Sequence, residues 1–138
     1  MGKHPILLRK EVPGHLANRL QAALWREAVH LVAEGVASVA DVDAAISEGP
    51  GLRWALMGPH ATFHLAGGEG GYAHFMHHLM PAVTSWWSSL GNPEVVPELQ
   101  RALIAGVQEE VGGASVQELA RRRDAALTRL LEARQQEG

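Results

Sequence analysis

Cysteine is absent from all 138 residues. That excludes a disulfide framework, a thiolate nucleophile and any cysteine-ligated zinc or iron–sulfur site. No apolar run approaches the ~18 residues a membrane-spanning helix needs. The start, Met1-Gly2-Lys3-His4-Pro5-Ile6, lacks the apolar core of a secretory signal, so the expected location is the cytoplasm. Neither sign of charge dominates. Twelve Lys and Arg against 15 Asp and Glu leave −3, which offers no footprint for nucleic acid or an anionic membrane. Strand-type alternation is missing beyond residue 12. No Walker motif is present, and no Gly-x-Gly-x-x-Gly follows a strand. The run Gly67 to Gly71 is glycine-rich but has the wrong spacing to cradle a pyrophosphate.

What is there is helical. A hydrophobic fraction of 46% with 20% charged residues suits one globular domain, residues 1–138, with a core of its own. Pro5 and Pro13 bracket Ile6-Leu7-Leu8, so residues 1–13 read as an extended lead-in with room for a short strand. Leu16, Leu20, Ala23, Leu24, Ala28 and Leu31 then recur at helical steps, predicting a first helix from His15 to Glu34 that Gly35 stops. Ser38 with Asp41 resembles a capping box ahead of a short helix through Val39, Val42 and Ile46.

Gly49-Pro50-Gly51 breaks that helix, Leu52 to Met57 form an apolar link, and Gly58-Pro59 opens the next helix. Gly67 to Gly71 reads as a hinge, followed by a helical stretch from Tyr72 to about Leu90 that Pro81 kinks or breaks. Gly91-Asn92-Pro93-Glu94 predicts a helix start through Val95, Leu99 and Leu103. Gly112-Gly113 ends it, Ser115-Val116-Gln117-Glu118 is a capping box, and a last helix runs through Leu119, Leu127, Leu130 and Leu131 to a tail, 135–138, that frays. The expected fold is all-α. Long apolar helices and the pair Trp86-Trp87 suggest an interface as well as a core.

Three groups of residues have chemistry to offer. His74, His77 and His78 share a helical face, as do His60 and His64. Imidazoles four residues apart can chelate zinc or nickel, but no His-Glu-x-x-His is present, and no metal is expected. His64, His74 and His78 are the candidate acid–base groups, since imidazole titrates near working pH. His15, Asn18 and Arg19 cluster at the start of the first helix. There an amide can hold a carbonyl or hydroxyl and a guanidinium can hold an anion, or the same groups can simply cap the helix. Arg53 lies in a Gly-rich apolar link, so either a substrate carboxylate or Glu48 is its partner.

These segments run in a recognisable order: Gly14-His15-Leu16-Ala17-Asn18-Arg19-Leu20, Glu27 to Ser38, Asp41-Val42-Asp43 and Gly49 to Pro59. The series resembles the C-terminal domain of the L-3-hydroxyacyl-CoA dehydrogenase family. The Ser-Glu-Gly-x-Gly-x-Arg form is nearest the branch of L-gulonate 3-dehydrogenase and L-carnitine dehydrogenase. The likeness is good from Lys10 to Ala66 and loose from Gly67 onward. It implies a two-part enzyme. A Rossmann half holds NAD and a catalytic His paired with a Glu, and a helical half closes over substrate and forms the dimer. The resemblance matches Asn18 to the family's substrate-contacting Asn. It matches Arg53 to an Arg that pairs with the carboxylate of a small 3-hydroxy acid.

The Rossmann half is expected to be missing here, so the chain is expected to bind no cofactor unaided and to transfer no hydride alone. Its expected role is substrate capping and dimerisation, through Asn18, Arg53 and Arg19, as a homodimer with a separate Rossmann partner and a small carboxylate or acyl substrate. The alternative is a free-standing non-redox enzyme, a cyclase, isomerase, dehydratase or lyase, with a His as acid or base beside Asn18 and Arg53. A third reading, a ligand-free dimer module, expects both polar residues to be satisfied by protein groups.

Overall fold

The structure is a computed structural model and describes residues 5–136. Among them are eight α-helices, one 3-10 turn and no strand. The helices are α1 (Ala17–Ala33), α2 (Val39–Ser47), α3 (Pro50–Trp54), α4 (Pro59–Ala66), α5 (Gly71–His78), α6 (Met80–Trp87), α7 (Pro97–Val111) and α8 (Val116–Gln136), with the 3-10 turn at Gly68–Gly70. The all-α expectation holds. Residues 5–12 make no strand, so the proline-bracketed apolar triplet lacks a pairing partner.

Local chemistry explains most boundaries. Ser38 closes a reciprocal box with Asp41: its hydroxyl accepts from the Asp41 N–H at 3.1 Å and donates to the carboxylate at 2.6 Å. Ser115 and Glu118 repeat the motif ahead of α8, with the Glu118 N–H 3.2 Å from the hydroxyl and the Ser115 N–H 2.9 Å from the carboxylate. Pro81 at the start of α6 splits the Tyr72–Leu90 stretch at Leu79. Gly112 ends α7 in the left-handed region at φ 58.

Three boundaries differ from the sequence pattern. Pro50 to Trp54 forms the short helix α3, because Pro suits a first helical turn as well as it breaks a preceding one. Gly67 to Gly71 is no loose hinge. Gly67 and Gly71 are buried, and a side chain on Gly67 would strike the Gly71 carbonyl. Finally, α7 begins at Pro97, not near Asn92. Gly91 is held instead against α1: its N–H donates to the Glu27 carboxylate at 2.7 Å, and its bare Cα lies against the His30 ring.

The helices form two packed groups. In the first, α1, α2 and α7 meet around Val29, Val39 and Val42, and Gly106 lets α7 approach the Val39 side chain. In the second, α4, α5 and α6 enclose Phe75, with Phe63 stacked on it at 4.5 Å and Tyr72 at 5.7 Å between ring centres. The short α3 links the groups. No other helix packs along α8 among the described residues. Among the described residues, Val29, Val39, Val42 and Phe75 form the buried apolar core.

Candidate functional site

Arg53 sits on α3, where Gly51 brings the backbone close to the Ile46 carbonyl and anchors the short helix on the end of α2. Its side chain borders a cavity of about 500 Å³ whose other walls are Leu56, Met57, Thr62, Phe63, Leu65 and Ala66. Arg53 is the one charged group on that wall. Thr62 is already committed, donating to the Gly58 carbonyl at 3.0 Å. Glu48 does not pair with Arg53; the ion pairs among the described residues are Arg101–Glu98 and Arg123–Asp124. An unpaired guanidinium beside apolar walls is suited to a ligand with an anionic end and a short carbon body.

Asn18 and Arg19 lie in the first turn of α1 and are exposed. The chain enters this helix by a tight turn. The His15 N–H donates to the Val12 carbonyl at 3.0 Å, and His15 adopts a left-handed φ of 52. For a non-glycine residue that conformation is strained. Leu16 supplies no side-chain cap to the first N–H groups of α1. The Asn18 amide has no hydrogen-bond partner among the described residues. Neither the Asn18 amide nor the Arg53 guanidinium has a side-chain partner among the described residues. The structure does not bring the two together, since Asn18 is not on the wall of the Arg53 cavity.

The histidines are held in a different way. His64 Nδ1 accepts the Tyr72 N–H at 3.1 Å, and its ring covers Gly71. A neutral His64 therefore carries its proton on Nε2. His60 Nδ1 lies 3.0 Å from the Tyr72 hydroxyl. His74 and His78 stand exposed on α5 with ring centres 4.2 Å apart. None of these borders the Arg53 cavity. No group of three His, Asp or Glu residues is placed to share a metal ion among the described residues. His60 does border a smaller aromatic cavity of about 170 Å³, with Phe63, Phe75 and Trp87, on the other side of Phe63. The ties made by His60 and His64 to Tyr72 of α5 were invisible in the sequence, where the i, i+4 spacing shows only a shared face.

The 3-hydroxyacyl-CoA dehydrogenase C-terminal domain family matches residues 14–115. The chain is a member of that family. Among its relatives, the L-carnitine dehydrogenase of Streptomyces griseus is 53% identical over 132 residues, covering 96% of this chain and 39% of its own length. That of Streptomyces coelicolor is 52% identical, with 96% and 42% covered. That of Bacillus cereus is 46% identical over 128 residues, with 93% and 39% covered. The dehydrogenase-domain chain thus spans about two fifths of the length of these relatives. The similarity extends well past Gly67, where the motifs thin out, and takes in the His74–His78 segment and Trp86-Trp87.

The glycine run Gly67 to Gly71 packs Gly67 against the Gly71 carbonyl and Gly71 against the His64 ring. No helix among the described residues is long and apolar enough to cross a membrane.

Proposed function

We propose that this chain is the substrate-capping and dimer-forming part of an L-carnitine dehydrogenase-type enzyme, acting on a small 3-hydroxy acid. Arg53 grips the carboxylate. Asn18 presents its amide to the hydroxyl oxygen at the reacting carbon, and Arg19 adds positive charge at the same helix end. The hydride acceptor and the proton-accepting group belong to a Rossmann half outside these 138 residues. The residues here bind, orient and exclude water, contributing proximity rather than bond-making. The observation that carries the reading is the unpaired Arg53 on an apolar-walled cavity, in a chain whose relatives are named for L-carnitine. Dimerisation is supported by the large apolar side chains left exposed, Trp25 and Ile104 among them.

The test is reconstitution. The chain is mixed with the isolated NAD-binding half of a related L-carnitine dehydrogenase, and NADH formation is followed with L-carnitine. The mixture should turn over well above the NAD-binding half alone. Arg53→Met should raise KM by ten- to a hundredfold, the loss of a charge-assisted pair, and Arg53→Lys should recover part of it. No gain on mixing overturns the proposal.

A further inference from the structure

The surface of this chain is too large for a molecule that is complete on its own. It exposes 11,220 Å² for a mass of 14.9 kDa. A folded chain of that mass exposes about 7,000 Å². The surplus, about 4,000 Å², far exceeds the ~800 Å² each partner gives to a standard interface. It also exceeds the ~1,000–2,500 Å² that each side gives to an obligate interface, so it has room for a second copy as well as a Rossmann half.

Two features of the surplus fit each other. The first is a furrow between α1, α2 and α7. It comprises a cavity of about 410 Å³ walled by Trp25, Val29, Val42, Ile104 and Val107. A second, of about 490 Å³, continues it past Trp25 to Ile46. Trp25 is 62% exposed and Ile104 58%. Asp43 and Glu110 border this furrow without an ion pair among the described residues. The second feature is α8, a helix of 21 residues, or about 31 Å, along which no other helix packs among the described residues. Val116, Leu119, Leu127, Leu130 and Leu131 run along one stripe at helical spacing. Arg122 flanks that stripe without an ion-pair partner among the described residues, and Arg123, paired with Asp124, lies within it.

We propose that α8 of a second copy of this chain lies in the α1/α2/α7 furrow, and that the exchange is reciprocal. This rests on the dimer in the reading above and names the element that makes it. Apolar stripe meets apolar furrow, and Arg122 meets the acidic border of Asp43 and Glu110. A two-fold axis makes every contact twice, which suits a closed pair. Gly112 and Gly113, both left-handed at φ 58 and 81, turn the chain at the end of α7. They send α8 away from the furrow that α7 itself lines.

The absence of cysteine makes the test clean. A tagged Ile104→Cys chain and an untagged Leu127→Cys chain are refolded together and treated with a short bismaleimide, with Val107→Cys and Leu130→Cys as a second pair. Light scattering on the unmodified chain gives the mass in solution. A two-chain mass with tagged-to-untagged cross-links in either pair is the expected result. The Leu127→Asp, Leu130→Asp double variant should weaken association at least a hundredfold while the helical signal of the remaining helices persists. Cross-linking within one chain of the Ile104→Cys, Leu127→Cys double variant overturns the exchange, because α8 then folds back on its own furrow. A dimer that cross-links in neither pair overturns the exchange but leaves the dimer standing. A monomer at all concentrations overturns both.

Discussion

Helices α2 and α8 begin with the same device and end in different circumstances. Each has a Ser whose hydroxyl accepts the N–H three residues on, and an acidic residue that reaches back to the Ser. Yet α2 buries Val39 and Val42, whereas α8 buries nothing. The capping box sets where a helix starts, because it satisfies N–H groups that otherwise have no partner. It is silent on what the helix packs against. That is decided by distant residues: α2 has Gly106 across from it to admit Val39, and no other helix packs along α8 among the described residues.

The largest effect should come from forcing charge into the packed member of the pair. Val42 is 8% exposed, and Val42→Asp should cost about 4 kcal/mol, since the carboxylate lands in the valine cluster without a partner. Chemical denaturation of the full chain measures it. Leu127→Asp in α8, at 45% exposure, should leave the α1/α2/α7 unfolding transition in place at low protein concentration and act only where association is strong. Equal destabilisation of both variants in dilute solution would erase the distinction.

Next comes the contact that gives α2 its partner. Gly106→Val puts two methyl groups where the Val39 side chain already lies. The overpacking should outweigh the small gain in helix propensity and cost about 2 kcal/mol. Ala105→Val, one position along on the exposed side of α7, should stay within about 0.5 kcal/mol. The difference between the two melting curves is the readout.

The same contrast explains how far the sequence was legible. Most helix starts with a local cause could be read: both boxes, Pro59 after Gly58, Pro81 splitting α5 from α6. The start of α3 was missed because Gly49-Pro50-Gly51 reads equally as a break. The other sites that misled are those decided by contacts distant in the chain. Asn92-Pro93 has the grammar of a helix start, but Glu27, 64 residues earlier, captures the Gly91 N–H and delays α7 to Pro97. The Gly67–Gly71 run looks loose because its constraint is the packing of the chain on itself and on the His64 ring. For the candidate site, the oddity of Arg53 in an apolar stretch was visible, and so was its place in a family motif. That Glu48 leaves it unpaired was not, because ion pairing depends on side-chain directions that a short helix at 50–54 resets. The histidine spacing shows which rings share a face, but not that His60 and His64 are tied to Tyr72, a residue on another helix.

Smaller still is the cap itself. Ser38→Ala should cost about 1 kcal/mol in global stability, because α2 is part of the cooperative core. Ser115→Ala removes the same hydrogen bonds, yet in dilute solution it should show as a loss of helical signal from the first turns of α8 with little shift in the main transition. The two variants, compared by circular dichroism and denaturation together, separate a cap that supports a packed helix from one that supports a solitary one. If docking of α8 in a second chain is restored at high concentration, the Ser115 variant should begin to resemble the Ser38 variant.

The most subtle test uses pH. The Ser38 hydroxyl, then its N–H, hold the Asp41 carboxyl below its ordinary value of 3.8. The Ser115 N–H, then its hydroxyl, do the same to Glu118, ordinarily near 4.5. A carboxyl whose value is lower in the folded chain stabilises it above the unfolded value, and that contribution disappears as pH falls through the folded one. Both boxes should therefore be at full strength at neutral pH and weaken progressively below pH 4.5 for Glu118 and 3.8 for Asp41. Both groups are exposed, so salt and water keep the effect small. Helical signal from α8 should fade first on acidification, since nothing but its own hydrogen bonds holds its N-terminus. The α2 contribution should appear instead as a lower unfolding midpoint. Asp41→Asn and Glu118→Gln remove the titration, and their acid profiles should lose the corresponding limb. An acid profile unchanged by both substitutions would mean that the boxes stabilise these helices equally in either protonation state.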